Sequence, residues 1–410
     1  MIKEQLERAV SRWDVEMHLL LACCRFSPSD REIETIKDLC RKVVNWKRFL
    51  DLVKRHRVHP VVYRNVDRYT REYVPGPVVQ ALKARFQANL LATLRLSAEL
   101  TRVSQLLEKS GIPMLCLKGP VLALRLFGDV AWRHYRDLDL LINAVDLDQA
   151  DKILLAQGYI QSSHGVKLSE LRPSQRNYVL THIKDFEYRH QERQTTIELH
   201  WNPFINMTSE QAADTRRFFE SGLVHPLWGT SIRSLSDVDT MLYLCEHGTR
   251  HAFSRLKWLV DIVELLGCMK DTSWKNMVET AEQGDLSRNV GLSLLLAHCL
   301  LGVPLPAPVA AIIDRDQAMP DLIGFFIRVM DEPEGKLDTE GKVNMLWWTL
   351  YWMKLKRKAS SKWPICSGFL YSANDFKEFN LPDVFFPIYP LLRPFLWFKR
   401  YHVSGPKKVN

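Results

Sequence analysis

Apolar residues recur every three or four positions through the first hundred residues, the spacing of amphipathic helices. The stretches "REIETIKDLCRKVVNWKRFLDLVKRH" (31–56) and "PGPVVQALKARFQANLLATLRLSAELTRVSQLLEKSG" (75–111) carry it most clearly. The second predicts one long helix closed by Gly111. The pattern then shortens. "PMLCLKG" reads as an apolar strand ending in glycine, "PVLALRLFG" as a helix, and "RDLDLLI" as a second strand. "VDLDQADKILLAQGY" returns to helical spacing, while "KDFEYRH" and "TTIELHW" alternate as later strands. From Ser209 onward helical runs resume, as in "DVDTMLYLCEHGTRHAFSRLKWLVDIVELLG". These elements predict an α+β chain in which a small mixed sheet, Ile112 to Trp201, is embedded in helices. The corresponding division is a helical domain at 1–111, a mixed core at 112–205, helices closing over it at 206–330, and a final segment at 331–410. That segment opens with the linker-like "DEPEGKLDTEGK" (331–342) and ends in an aromatic, basic stretch.

Composition narrows the class. A hydrophobic share of 46% and a charged share of 25% belong to a globular protein, not a disordered one. No apolar run is long enough to span a bilayer, and the N-terminal residues lack the layout of a secretory signal. The eight cysteines are scattered without a C-x-x-C pair, the pattern of buried reduced thiols in a cytoplasmic protein. The net charge of +9 is localised. Of 56 basic and 47 acidic residues, 12 and 3 lie beyond Glu340, so the first 340 residues carry 44 of each. A uniformly nucleic-acid-coating surface is therefore not expected.

The candidate chemistry begins at "RHYRDLDLLI" (133–142). Alternation along a strand puts Asp137 and Asp139 on one face, with Leu138 and Leu140 on the other. Two carboxylates so close repel unless a cation, an arginine or hydrogen-bond donors compensate, although a D-x-D at a strand end also suits two solvated acids. Upstream, "LKGP" places Gly119 at a strand-to-helix turn, where backbone approaches a ligand and a helix N-terminus favours an anion. Pro120 removes one amide donor but leaves the following ones free. Downstream, "TTIELHW" sets Thr196, Glu198 and His200 on one face. A glycine turn, two carboxylates on one strand and a third on a later strand together form a plausible two-metal site for a nucleoside triphosphate.

The stretch "LKGPVLALRLFGDVAWRHYRDLDLLI" resembles the signature of the bacterial nucleotidyltransferase-like family of the DNA polymerase β superfamily, and the likeness continues in "IELHW" and "HGTRHAFSRLKWLVDIVELL" and, more loosely, in "LPDVFFPIYPLLRPFLWFKRY". In that superfamily a Gly-Ser or Gly-Gly turn precedes an apolar-D-apolar-D strand, and a third acid follows. Pro120 departs from the small residue usual at that turn. The resemblance implies that residues 112–205 form a nucleotidyltransferase core. It implies that Asp137, Asp139 and Glu198 hold Mg²⁺ in a two-ion site, with Glu198 also helping to deprotonate the acceptor. Lys118 and Gly119 would lie against the β- and γ-phosphates. Arg133 would neutralise triphosphate charge or hold the carboxylates, an ordinary ion pair with those acids being the alternative.

In "EHGTRHAFSRLKWLVD", His247 and His251 stand four apart on a helix without a third metal ligand nearby, so zinc is disfavoured. Lys257 and Asp261 have the spacing of a helix ion pair, and their company of Arg255 and Trp258 suggests a helix facing the nucleotide cleft. The aromatic run from Leu346 to Trp363 reads first as core, and otherwise as a membrane or partner face or a stacking platform for single-stranded nucleic acid. The function expected is Mg²⁺-dependent transfer of a nucleotidyl group from a triphosphate such as ATP to an acceptor hydroxyl or phosphate. The acceptor, whether sugar, small metabolite, peptide or RNA end, is not legible. The alternative is a nucleotide-binding scaffold or regulator that performs no transfer. The basic C-terminal segment adds the expectation of peripheral contact with an anionic membrane at its inner surface.

Overall fold

The computed structural model describes residues 2–162, 166–204, 215–269, 271–331 and 342–399. Most of the linker expected at 331–342, and the basic end from residue 400, lie outside them. The chain is mostly helical around one mixed sheet, the α+β architecture that the spacing implies. Five helices position the site: α1 (Trp46–His56), α2 (Gly76–Lys109), α3 (Pro120–Phe127), α4 (Asp237–Arg250) and α5 (Lys257–Leu266). The strands are β1 (Leu115–Cys116), β2 (Leu138–Leu141), β3 (Ile160–Gln161), β4 (Asp185–His190), β5 (Thr195–His200), β6 (Leu223–Leu227) and β7 (Thr230–Ser234). They pair in the order β3-β4-β5-β2-β1-β7-β6. The β2/β5 and β1/β7 pairs are parallel and the others antiparallel.

The sheet divides two cores, and strand alternation decides which side chain joins which. Leu138, Leu140, Ile197 and Leu199 pack into a cluster with Leu96, Leu100, Val103 and Leu107 of α2. Those four α2 positions are spaced 4, 3 and 4, so they form one stripe down the helix. Leu115, Leu117 and Leu141 face the opposite, larger cluster, which includes Met241, Leu242, Leu259 and Ile262 of α4 and α5. Asp139 has the parity of Leu141 and therefore points toward α4 and α5. The helix α2 ends at Lys109, with Gly111 in the left-handed region at φ 72°.

The sheet extends further along the chain than the hydrophobic pattern implies. β6 and β7 fall where only helices are expected, and form a hairpin closed by Trp228 and Gly229, both at positive φ. Pro226 lies within β6, which a proline can do because that strand is the sheet edge. Its exposed, irregular sequence gives little alternation to read. Part of the aromatic run joins the core and part does not: Trp348 and Tyr351 are buried, Tyr351 donates to the Thr249 carbonyl at 2.5 Å and Trp352 to the Arg250 carbonyl at 3.0 Å, whereas Leu346, Leu350 and Trp363 are exposed. All eight cysteines are free thiols and five are buried.

Candidate active site

Parallel pairing sets Asp139 of β2 opposite Glu198 of β5, and Leu141 opposite His200. Asp139 and His200 are fully buried, while the Glu198 side chain keeps 28% exposure. Ligand atoms of Asp139, Glu198 and His200 all lie within 4.8 Å of one another. Asp139 Oδ1 is 2.8 Å from Lys118 Nζ and 3.4 Å from His200 Nε2. His200 Nε2 is 3.5 Å from Glu198 Oε2, and its Nδ1 faces the Lys184–Asp185 ion pair. Burial opposes the Asp139 carboxylate, yet Lys118 and then His200 hold it well below the usual carboxylate range. Burial also opposes the Lys118 charge, and Asp139 outweighs it, holding the ammonium well above the usual lysine value. For His200, burial and Lys184 favour the neutral ring, but Asp185, Asp139 and Glu198 raise its pKa.

Despite these close charges, several groups lack a hydrogen bond. Asp139 Oδ2 and the Tyr243 hydroxyl are buried without one among the described residues, and Asp139 Oδ1 and His200 Nε2 meet only the ionic contacts just given. Buried polar groups left so are costly, and a divalent cation satisfies carboxylate oxygens and an imidazole nitrogen together. The donor set thus fits a divalent ion. Asp137 is half-buried and stands outside this three-residue cluster, where its charge bears on Lys118 and Lys257.

Gly119 caps α3 at φ 73° and ψ −134°, a region closed to side chains, with Pro120 at the first helical position. A Cβ there would meet the Asp137 carbonyl at 3.7 Å, ordinary contact, so conformation and not space requires glycine. The turn therefore brings the α3 N-terminus beside the strand carrying the carboxylates. Gly119→Ala should cost about 1–3 kcal/mol by forcing that backbone. Urea denaturation checks this, and an unchanged midpoint would show that the turn relaxes.

Arg133 and Asp261 form a two-pronged buried pair, with Nε donating to Oδ1 and Nη2 to Oδ2, both at 2.8 Å. The pair ties the segment entering β2 to α5, so Asp261 serves Arg133 instead of its helix neighbour Lys257. Partial burial, then Arg133 and Lys118, push the Lys257 ammonium down to about 7, against Asp137 and Asp261. His247 stacks edge-on against Trp258, and its Nδ1 lies 3.2 Å from Arg250. The His251 ring stacks flat on Trp258 at 5.1 Å. Neither histidine belongs to a metal-ligand cluster among the described residues. Pattern reading passed over Tyr243 and the Lys184–Asp185 pair. The one available signal was charge at the head of "KDFEYRH", whose Asp185 pairs with His200 across the antiparallel β4/β5 ladder.

A model of the family described as "Uncharacterised nucleotidyltransferase" matches residues 42–302. No significant match is found among curated proteins or among solved structures. The match spans α1 through the helices beyond α5 and so includes the whole sheet and every residue of the carboxylate cluster. It is consistent with the turn–strand–strand arrangement of Gly119, Asp139 and Glu198. The chain belongs to this uncharacterised family of nucleotidyltransferases.

Proposed function

We propose that the protein transfers a nucleoside monophosphate from a nucleoside triphosphate to an acceptor hydroxyl or phosphate, using Mg²⁺ held by Asp139, Glu198 and Asp137. The observation that carries this is the in-register pair Asp139–Glu198, with a buried carboxylate beside a glycine-capped helix start. When bound, the two ions expected here would neutralise phosphate charge and polarise the reacting oxygens. Lys118 and the amides after Gly119 would hold the β- and γ-phosphates, and Lys257 would add positive charge from α5. Glu198, the more exposed of the paired carboxylates, would receive the acceptor proton. The acceptor oxygen bonds to the α-phosphorus, the bond to the bridging oxygen breaks, and pyrophosphate leaves with its electrons. Arg133 and Asp261 would act by holding α5 in place, being engaged with each other. Incubation with each α-labelled triphosphate, Mg²⁺ and a cell extract tests this: a labelled acceptor and released pyrophosphate are expected. Nucleotide binding without any labelled product would favour a silent scaffold, a reading that the Lys118–Asp139 ion pair supports because a cation already sits on the carboxylate.

The lysine on α5 provides a pH signature. A bound phosphate favours the charged form of Lys257, so triphosphate binding above pH 7 should take up a proton and weaken as pH rises further. Titration with ATP at pH 8 in buffers of different ionisation enthalpy should show this uptake, and Lys257→Met should lose it. Equal proton uptake by both proteins would remove Lys257 from the phosphate site.

Among the described residues no helix is long and apolar enough to cross a membrane. The helix Tyr389–Phe398 leaves Leu391 and Phe395 exposed at 79% and 63%, next to the basic C-terminal segment. Both features support peripheral contact with an anionic membrane. Sedimentation with anionic liposomes should show binding at low salt that weakens at high salt and is lost when the chain ends at Leu396. Binding absent at low salt, or unaffected by that truncation, would leave the segment without a membrane role.

A further inference from the structure

A separate cavity of about 480 Å³ opens beside the segment that leads into Asp137. Lys54 and Arg57 line it from the end of α1, Arg85 and Arg95 from α2, and Arg136 from the approach to β2. Among the described residues no aspartate or glutamate lines it. Arg85 Nη1 donates to the Leu50 carbonyl at 3.5 Å and Arg95 Nη1 to Gln194 Oε1 at 2.8 Å, both neutral acceptors, so the positive charge gathered here favours an anion. Arg57 is also held in the left-handed region at φ 55°, a conformation costing a non-glycine residue about 1 kcal/mol.

Two histidines complete the wall. His59 and His134 meet edge-on at 4.9 Å, and burial together with neighbouring cations keeps both rings neutral at pH 7, at about 4 and about 2. Asn89 fixes which nitrogen of His134 holds the proton. Its amide nitrogen donates to the Ala131 and Arg133 carbonyls, so its oxygen accepts from His134 Nδ1 at 2.9 Å. His134 Nε2 then keeps a lone pair with no partner among the described residues. The cavity therefore offers positive charge to a phosphate.

Its position relates it to the carboxylates. Arg136 precedes Asp139 by three residues and Gln194 precedes Glu198 by four, so their backbones lie no more than about 10–14 Å from those carboxylate residues. The charge of Lys257 acts on His134 at the cavity, and Lys257 in turn feels Asp137 and Lys118 at the site, so one cation is coupled electrostatically to both. The size also selects. About 480 Å³ suits a small molecule, and the first 340 residues balance 44 basic against 44 acidic groups, without the extended basic track a nucleic-acid strand requires.

We infer that this cavity is the acceptor site and takes a small phosphorylated, hydroxyl-bearing molecule of the sugar-phosphate class, a reading that rests on the nucleotidyl transfer proposed above. Calorimetric titration with ribose 5-phosphate, ribose and inorganic phosphate, without nucleotide, tests it separately from transfer. Ribose 5-phosphate should bind at least tenfold more tightly than ribose and more tightly than inorganic phosphate. The exposed pair Arg95→Ala/Arg136→Ala should weaken ribose 5-phosphate at least tenfold while ATP affinity stays within twofold. Equal binding of ribose and ribose 5-phosphate, or binding untouched by the double variant, would overturn the inference. So would a single-stranded RNA hexamer that outcompetes ribose 5-phosphate tenfold and depends on the same arginines. Because no nucleotide is present, this binding measurement does not depend on transfer, so a failed transfer reaction leaves its result to stand alone.

Discussion

Asp139→Asn should lower nucleotidyl transfer by roughly 10³-fold and remove the Mg²⁺ dependence of triphosphate binding. Asparagine preserves the size of the side chain and deletes the charge on which the cluster turns. Asp139 is fully buried, in register with Glu198, and its charge is met by Lys118 and His200. Without it, Lys118 loses the carboxylate 2.8 Å away and His200 loses one of the acids that raise its pKa. The wild-type carboxylate has a folded pKa below its unfolded value, so its stabilising contribution is present above about pH 4 and is lost as pH falls further. The variant should therefore show a shallower acid-unfolding limb along with its lost activity. Steady-state turnover and acid titration followed by circular dichroism measure the two effects. Transfer within tenfold of wild type would place the catalytic metal elsewhere.

Arg133→Met should be the most destabilising single change in the site, costing about 3–5 kcal/mol because it leaves the Asp261 carboxylate buried and unpaired. The pair is bidentate at 2.8 Å in both arms, and both side chains are almost completely buried. A loss of that size corresponds to a melting temperature about 5–10 °C lower in a protein this large. Arg133→Met/Asp261→Leu removes both charges together and should recover most of the stability, as replacing a whole buried pair often does. Its activity tests the positioning role. If the pair only holds α5, the double variant regains stability but keeps a raised KM for the triphosphate. A single variant as stable as wild type would mean that Asp261 takes up a proton or finds another partner.

Strand alternation separates Asp139 from its apolar neighbours and Glu198 from its own, but their shared face depends on the β2/β5 register, and Asp137, which precedes β2, stands outside the cluster of Asp139, Glu198 and His200. It could not reach pairing partners. His200 was legible as a face residue, but its contact with the Lys184–Asp185 pair depends on the β4/β5 register. Arg133 and Asp261 are 128 residues apart, and only the folded chain joins them. The helix spacing of Lys257 and Asp261 pointed to each other, whereas a guanidinium with two parallel donors matches the carboxylate better than a lysine does. The β6/β7 hairpin was hidden for the opposite reason: an exposed edge with Pro226 shows neither alternation nor an apolar run. The long apolar stripe of α2 was plain, because Leu96, Leu100, Val103 and Leu107 repeat at the helical period against one core.

The central measurement is calorimetric titration of ATP into wild type, Asp139→Asn and Glu198→Gln, each with and without Mg²⁺. Wild type should bind ATP at least tenfold more tightly when Mg²⁺ is present, and both variants should lose that gain while remaining folded. Identical Mg²⁺-dependent gains in all three proteins, or no ATP binding by wild type under either condition, would contradict a nucleotide-binding metal centre at Asp139 and Glu198.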